Sequence, residues 1–222
     1  DKLTKLGVKI YLSHDEKNIT NDIDLVVYTS AISDDNPELI KAKQLKLNIM
    51  DRAEFLGYIM KNYIHSICVS GTHGKTTTTG MLSSVLLKTD LEPTIFLGGE
   101  MDSIGGNLKE GSNNLLLTEA CEYRRNFLKF NPTMELILNI DEDHLDYYKD
   151  LDDIEDAFLE YAKKLPESGF LILNVQNKSL FSNLKCNVTT FGLNDEADFY
   201  PSEINYFPTP SYVLMHKGNK LT

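Results

Sequence analysis

The stretch Ile67–Thr79, ICVSGTHGKTTTT, constrains this chain more than any other. An apolar run from Ile64 to Val69, interrupted by His65 and Ser66, enters the small-residue turn Ser70-Gly71-Thr72-His73-Gly74. Lys75 and four threonines follow, and then a helical pattern that places Met81, Leu82, Val85 and Leu86 on one side. Strand, glycine turn, Lys-Thr and helix, in that order, build a phosphate cradle. The glycines let backbone N–H groups converge on an anion, and the helix N-terminus adds partial positive charge. The spacing predicts that Gly71, Thr72, His73, Gly74, Lys75, Thr76 and Thr77 surround the phosphates of a nucleoside triphosphate. Lys75 would reach the terminal phosphates and the Thr76 hydroxyl would ligate Mg²⁺. His73 is expected only to help shape the loop. The common pattern has a glycine five residues before Gly74; Val69 stands there, so this is a compact Gly-x-x-Gly-Lys-Thr variant. A plain turn with a solvated lysine is the alternative, and the flanking strand and helix favour the cradle.

The fold class expected is α/β: a partial Rossmann-like N-terminal domain, then a P-loop ATPase-type, mostly parallel sheet with flanking helices. Residues 1–62 and 63–222 are expected as the two domains. In the first, a helix ends at Gly7, strands follow at Val8–Tyr11 and Leu25–Tyr28, and Asn36-Pro37-Glu38 opens a helix. A strand at Asn48–Met50 and a helix across Arg52–Asn62 complete it. About 62 residues is thin for such a domain, and the chain opens on Asp1 without a Met; both ends are expected to be cut from something longer. In the second domain, strands are expected at Thr94–Leu97, Asn114–Thr118, Met134–Ile140, Phe170–Asn174 and Val188–Phe191, with helices at Leu151–Leu165 and Lys178–Leu184. Gly98-Gly99 through Gly105-Gly106-Asn107 reads as a flexible segment. Asp198–Leu221 reads as the start of an antiparallel extension, with a turn at His216–Lys220.

Composition narrows the partners. Lys+Arg 22 against Asp+Glu 33 gives a net charge of −11, a poor field for nucleic acid or an anionic membrane. A polyanionic nucleotide must therefore be held locally, by a basic site with Mg²⁺. Cys68, Cys121 and Cys186 are far apart and form no ligand pair, which suggests reduced thiols. With no apolar run of membrane length and no leader pattern, the expected location is cytoplasmic. Oligomeric state is left open.

Ligands of an open α/β sheet sit beyond the carboxyl ends of its strands. Besides the loop, one strand ends on Glu119 and another on Asp141-Glu142-Asp143-His144. A carboxylate and an imidazole beside Thr76 suit Mg²⁺ or Mn²⁺ held against phosphate oxygens. Glu119 could instead cap a helix, and His144 could be an ordinary polar loop residue. Glu122, Asp141, Glu142, Asp143 and Asp146 are expected to be mostly solvated. Asn107 could contact a substrate or belong to a surface loop.

GTHGKTTTT, the strand ending in Glu119 and Asn139-Ile140-x-x-Asp143-His144-x-Asp146 together resemble the Mur ligase family. GGE…IGGN (Gly98–Asn107), EACEY (Glu119–Tyr123), VVYTSAISDDNPELIKAK (Val26–Lys43) and RAEFLGYIM (Arg52–Met60) are similar to the branch that joins L-alanine to UDP-N-acetylmuramate in peptidoglycan synthesis. The resemblance implies that ATP phosphorylates the lactyl carboxylate and that the alanine amine attacks the acyl phosphate. It implies catalytic roles for Lys75, Glu119 and His144. Thr76 and Glu119 would hold the nucleotide's Mg²⁺, Glu119 and His144 a second metal, and Asn107 would contact substrate. Residues 1–62 would end the UDP-binding domain and 63–222 would form most of the ATP-binding one. The family's first strand and glycine turn, its adenine-contacting His-Asn motif and its C-terminal domain have no counterpart here, so the stretch alone is expected to lack ligase activity. Members of this branch carry an Asp-Glu-Ser-Asp run after the first glutamate; Ala120-Cys121-Glu122-Tyr123-Arg124 departs from it, and no metal role is assigned to Glu122. Two other readings are a murein-peptide recycling ligase and a P-loop regulatory ATPase.

Overall fold

In the computed structural model, residues 2–221 are described. Asp1 and Thr222, the outer ends of the two expected domains, lie outside them. The chain divides into two compact units, Asp1–Leu56 and Gly57–Thr222.

The first unit is a βαβ arrangement. Helix α1 (Lys2–Lys5) stops ahead of Gly7, whose φ of 81° is left-handed. Strand β1 (Leu25–Tyr28) and β2 (Asn48–Asp51) pair in parallel across helix α2 (Pro37–Gln44). The Asn36 side chain accepts the Glu38 and Leu39 N–H groups, and Pro37 takes the first helical position, where no N–H is needed. Helix α3 (Arg52–Met60) follows. The strand expected at Val8–Tyr11 is absent. A strand needs a ladder partner, and among the described residues β1 and β2 pair only with each other; Val8, Ile10 and Tyr11 are exposed.

The second unit is built on β3 (His65–Ser70), α4 (Lys75–Leu86), β4 (Thr94–Met101), β5 (Gly106–Lys109), β6 (Leu115–Glu119), β7 (Met134–Ile137), α5 (Leu151–Ala162), β8 (Phe170–Asn174), β9 (Asn187–Phe191), β10 (Phe199–Asn205), β11 (Ser211–His216) and β12 (Asn219–Lys220). The ten described strands run in the order β12-β11-β10-β9-β8-β7-β3-β6-β4-β5. Pairing is parallel from β4 through β10 and antiparallel at β5, β11 and β12. The α/β class with a mostly parallel sheet is as the sequence predicts. Because β3 lies between β6 and β7, its outgoing loop is flanked by the carboxyl ends of both neighbours.

Apolar burial fixes this arrangement on two faces. Val69, Ile95, Leu97 and Leu117 form a cluster against which Leu82 and Leu86 of α4 pack. Met81 and Val85, expected on the same side, are exposed: at 100° per residue the inward stripe runs through Thr79, Leu82, Ser83 and Leu86. On α5 the stripe Ile154, Ala157, Phe158, Tyr161 is buried. Phe127 meets it edge-on at Phe158 (5.1 Å) and stacked at Tyr161 (4.5 Å). Each such side chain contributes about 1.5–3 kcal/mol when fully buried.

Several expected bounds shift. The glycine segment is no flexible loop: β4 continues through Gly98 and Gly99, a 3-10 turn spans Asp102–Ile104, and β5 returns beside it. Met101 and Ile104 hold the hairpin down by packing on the apolar cluster. The helix expected at Lys178–Leu184 is instead a 3-10 turn at Val175–Asn177 and successive turns, where Phe181 alone is buried and no helical stripe forms. The tail is antiparallel as expected, with Lys217 (φ 47°) and Gly218 (φ 81°) turning β11 into β12. All three cysteines are free thiols. Among the described residues no helix is long and apolar enough to cross a membrane.

Candidate active site

The phosphate loop leaves β3 at Ser70 and is shaped from outside itself. Thr72 N–H donates to the Asn139 carbonyl (3.1 Å). The Asn139 side chain accepts from His73 N–H (2.8 Å) and donates to the His73 carbonyl (3.1 Å). Thr72 Oγ1 accepts from Asp141 N–H (2.9 Å). His73 thus shapes the loop through its backbone, clamped on both sides by one amide. Gly71, at φ 130°, passes so close to β7's outgoing strand end that an added Cβ would sit 3.0 Å from Leu138 Cβ; only glycine fits both demands. Gly74 (φ 86°) then starts α4, leaving Thr76 and Thr77 exposed on its first turn.

Thr76 and Glu119 are brought together across β3 and β6. Thr76 Oγ1 donates to Glu119 Oε2 (2.9 Å), and Gly98 N–H donates to Glu119 Oε1 (2.7 Å). The absence of a side chain at Gly98 makes room for that carboxylate: a Cβ there would lie 2.8 Å from Oε2. Gly98→Ala is therefore expected to displace Glu119, a flexible partner, with a stability cost below about 1 kcal/mol. If Thr76 and Glu119 hold the nucleotide's Mg²⁺, affinity for Mg-ATP should fall roughly tenfold, about 1.4 kcal/mol. Titration calorimetry beside a melting curve checks the split; unchanged affinity would count against Glu119 as a metal ligand.

Lys75 faces inward. Its Nζ donates to the Gly71 carbonyl (2.6 Å), the Thr72 carbonyl (3.1 Å) and both Glu122 oxygens (2.9 and 3.0 Å). Glu122 is buried, 2% exposed, where solvation was expected. Its backbone carbonyl is pinned by Tyr148 Oη (2.5 Å) and Arg125 N–H (2.8 Å). His144 Nε2 lies 3.5 Å from Glu122 Oε1, so the imidazole is drawn to the lysine's carboxylate. Tyr123 covers His144 at 4.7 Å between ring centroids and donates from its hydroxyl to Asp146 (2.9 Å).

The backbone is left-handed at Arg124 (φ 53°), Arg125 (φ 55°) and His144 (φ 53°), conformations that cost of order 1–3 kcal/mol and gather at functional sites. Arg125 is thereby turned onto α5, meeting Asp153 (2.6 Å) and Glu160 (3.2 Å). The Lys149 N–H, with Arg125, holds the Asp153 carboxyl below its usual range. Burial pushes the Tyr148 phenol up, keeping it a neutral donor. Asn107 stands exposed on edge strand β5 and is not part of this hydrogen-bonded cluster.

Among the described residues no three His, Cys, Asp or Glu side chains converge as a ready metal cage. The donors present, a hydroxyl and a carboxylate 2.9 Å apart, nevertheless fit Mg²⁺, which takes few protein ligands and completes its shell with phosphate oxygens and water. Glu122 and the Asn139 clamp are the residues sequence reasoning missed. The buried position of Glu122, three residues after a strand-end glutamate, left no periodic signal, and Asn139 stood only inside a longer motif.

The Mur ligase middle domain family matches residues 69–221, and the Mur ligase catalytic domain family residues 1–64. Among curated proteins, the UDP-N-acetylmuramate–L-alanine ligase of Clostridium beijerinckii is 50% identical over 209 residues, covering 93% of this chain and 45% of the relative. That of Clostridium botulinum strain Langeland is 51% identical, with the same coverage. The chain thus spans about half the length of the curated relatives it matches. Among solved structures, UDP-N-acetylmuramate–alanine ligase from Thermotoga maritima superposes with a TM-score of 0.81 at 30% identity, over 99% of this chain and 50% of that one. The UDP-N-acetylmuramate:L-alanyl-γ-D-glutamyl-meso-diaminopimelate ligase of Neisseria meningitides shares the fold, with a TM-score of 0.85 at 21% identity over 99% and 73%. A clamped phosphate loop, a strand-end glutamate bonded to its threonine, and a middle-domain match over most of the chain lead to one assignment: this chain belongs to the Mur ligase family.

Proposed function

We propose that this chain carries the phosphoryl-transfer site of an ATP-dependent amide ligase that joins L-alanine to UDP-N-acetylmuramate. The observation that carries the reading is the Thr76–Glu119 pair, 2.9 Å apart at the mouth of the phosphate loop, in a chain 50% identical to ligases of that name. Residues 63–222 would bind ATP through Gly71–Thr77, and residues 1–62 would belong to the sugar-nucleotide domain. Thr76 and Glu119 would hold Mg²⁺, with His144 on the acceptor side. Bound there, the ion would neutralise phosphate charge. Lys75 stabilises negative charge on the transferring phosphoryl group while the loop N–H groups fix its position. The acceptor carboxylate oxygen takes the γ-phosphoryl group and ADP leaves; the alanine nitrogen then displaces phosphate from the acyl carbon, releasing a proton. Asn107, outside the cluster, is a candidate contact for the sugar nucleotide.

The recycling ligase shares this fold, but identity favours the alanine branch, at 30% against 21% between the two solved structures. The test is phosphate release by the full-length Clostridium beijerinckii relative with this chain in place of the stretch it matches. Release that requires both UDP-N-acetylmuramate and L-alanine is expected. Release that needs neither and responds to a protein would favour a regulatory ATPase; release with a tripeptide in place of alanine would favour the recycling reaction.

A further inference from the structure

Glu122 belongs to no role assigned above, yet it is the most enclosed carboxylate of the site. An ammonium has three N–H donors, and four oxygens already lie within 3.1 Å of Lys75 Nζ. On the phosphate-cradle reading this ammonium reaches the terminal phosphates, and with its three donors already spread over four oxygens it would give up the Glu122 carboxylate to do so. Tyr148 and Arg125 pin the Glu122 backbone carbonyl, so its main chain stays in place and only the side chain is left to turn. A buried carboxylate stripped of its cation is costly. The nearest substitute donor is His144, whose Nε2 lies 3.5 Å from the same Oε1 that holds Lys75 at 3.0 Å.

We propose that Glu122 is a positioning residue that pairs with Lys75, competes with incoming phosphates for it, and turns to His144 when they take the lysine. The proposal rests on the reading of Gly71–Thr77 as a phosphate cradle. Glu122 is then the joint between the phosphate side and the acceptor side: the imidazole gains its carboxylate partner only once the lysine has left. A carboxylate behind a histidine fixes the ring's tautomer and orientation, so His144 is set for its task when the nucleotide is in place.

Two measurements test this on the chain as it stands. Calorimetric titration of Mg-ATP and of inorganic tripolyphosphate compares wild type with Glu122→Gln, which keeps the shape and removes the competing charge. A latch lowers apparent affinity by the fraction of molecules in which it is open, so the variant should bind both probes roughly tenfold more tightly. A scaffold role for Glu122 gives weaker binding, and that result would overturn the competition. Separately, acylation of Lys75 by an amine-reactive reagent, read by mass spectrometry without nucleotide, should be slow in wild type and at least about tenfold faster in Glu122→Gln. Wild-type labelling of Lys75 as fast as that of exposed lysines would overturn the latch whatever the titrations give. Slow labelling with no binding of either probe in both proteins would instead overturn the phosphate reading and the competition with it.

Discussion

Lys75→Ala is expected to destabilise the chain by up to about 3–5 kcal/mol, because it takes the cation from the buried Glu122 carboxylate and leaves it only what His144 can recover. The pair is enclosed, with the side chains 17% and 2% exposed, and its oxygens lie at 2.9 and 3.0 Å. Removing one member of a buried pair leaves the other without a counter-charge, whereas removing both leaves nothing to compensate. Lys75→Met combined with Glu122→Gln should therefore recover most of the loss. The denaturant midpoints of the wild type and the two variants measure it. An unchanged midpoint in Lys75→Ala would mean that Glu122 reaches water or another cation at no cost. The result also bears on nucleotide titrations, since a Lys75→Ala protein that fails to bind ATP would have lost a stable site as well as the proposed phosphate contact. Only the double variant separates the two.

Glu135→Gln is expected to stabilise the chain at pH 8 by about 1–3 kcal/mol, several degrees in melting temperature. Glu135 sits in β7, fully buried, opposite Cys68 of β3. Burial pushes its carboxyl well above the ordinary value of 4.5, so the folded chain disfavours the charged form. Its Oε1 lies 3.5 Å from Ser70 Oγ, while among the described residues Oε2 meets no hydrogen-bond partner. The same enclosure raises the Tyr161 phenol and takes the Cys68 thiol to about 12. A group whose folded value is raised contributes stability that is complete below its unfolded value and lost as pH climbs toward the folded one. Wild-type stability should thus decline from pH 5 upward, while the Gln variant lacks that decline. The two proteins should converge near pH 4.5 and part progressively above it. Melting curves across that range decide the matter; a wild type that gains on the variant as pH rises would show Glu135 ionised and paired.

The elements that could be read from sequence are those whose signal is local. Leu25–Tyr28 and Phe170–Asn174 fall where their apolar runs place them, and Asn36-Pro37 opens α2 because cap and first turn are adjacent in the chain. The loop's own residues were legible for the same reason. What could not be read depends on distant partners. Glu122 is buried because Lys75, 47 residues earlier, turns back upon it. The glycine-rich segment is ordered because Met101 and Ile104 reach the apolar cluster, and composition alone suggested mobility. The spacing puts Met81 and Val85 on one side with Leu82 and Leu86, but Thr79 and Ser83 are the buried neighbours of those leucines, and Met81 and Val85 are exposed. Val8–Tyr11 has the residues of a strand and no neighbour to make it one.

The Asn139 clamp has a consequence for engineering. The loop's curvature is held by an amide from the next strand over, through both the N–H and the carbonyl of His73, and by Asp141 N–H on Thr72. Residues 70–79 transplanted into another parallel sheet would bring the right letters and leave their mould behind. The portable unit is the loop together with the end of β7, and a graft that omits 138–141 should yield a soluble turn with no grip on anions.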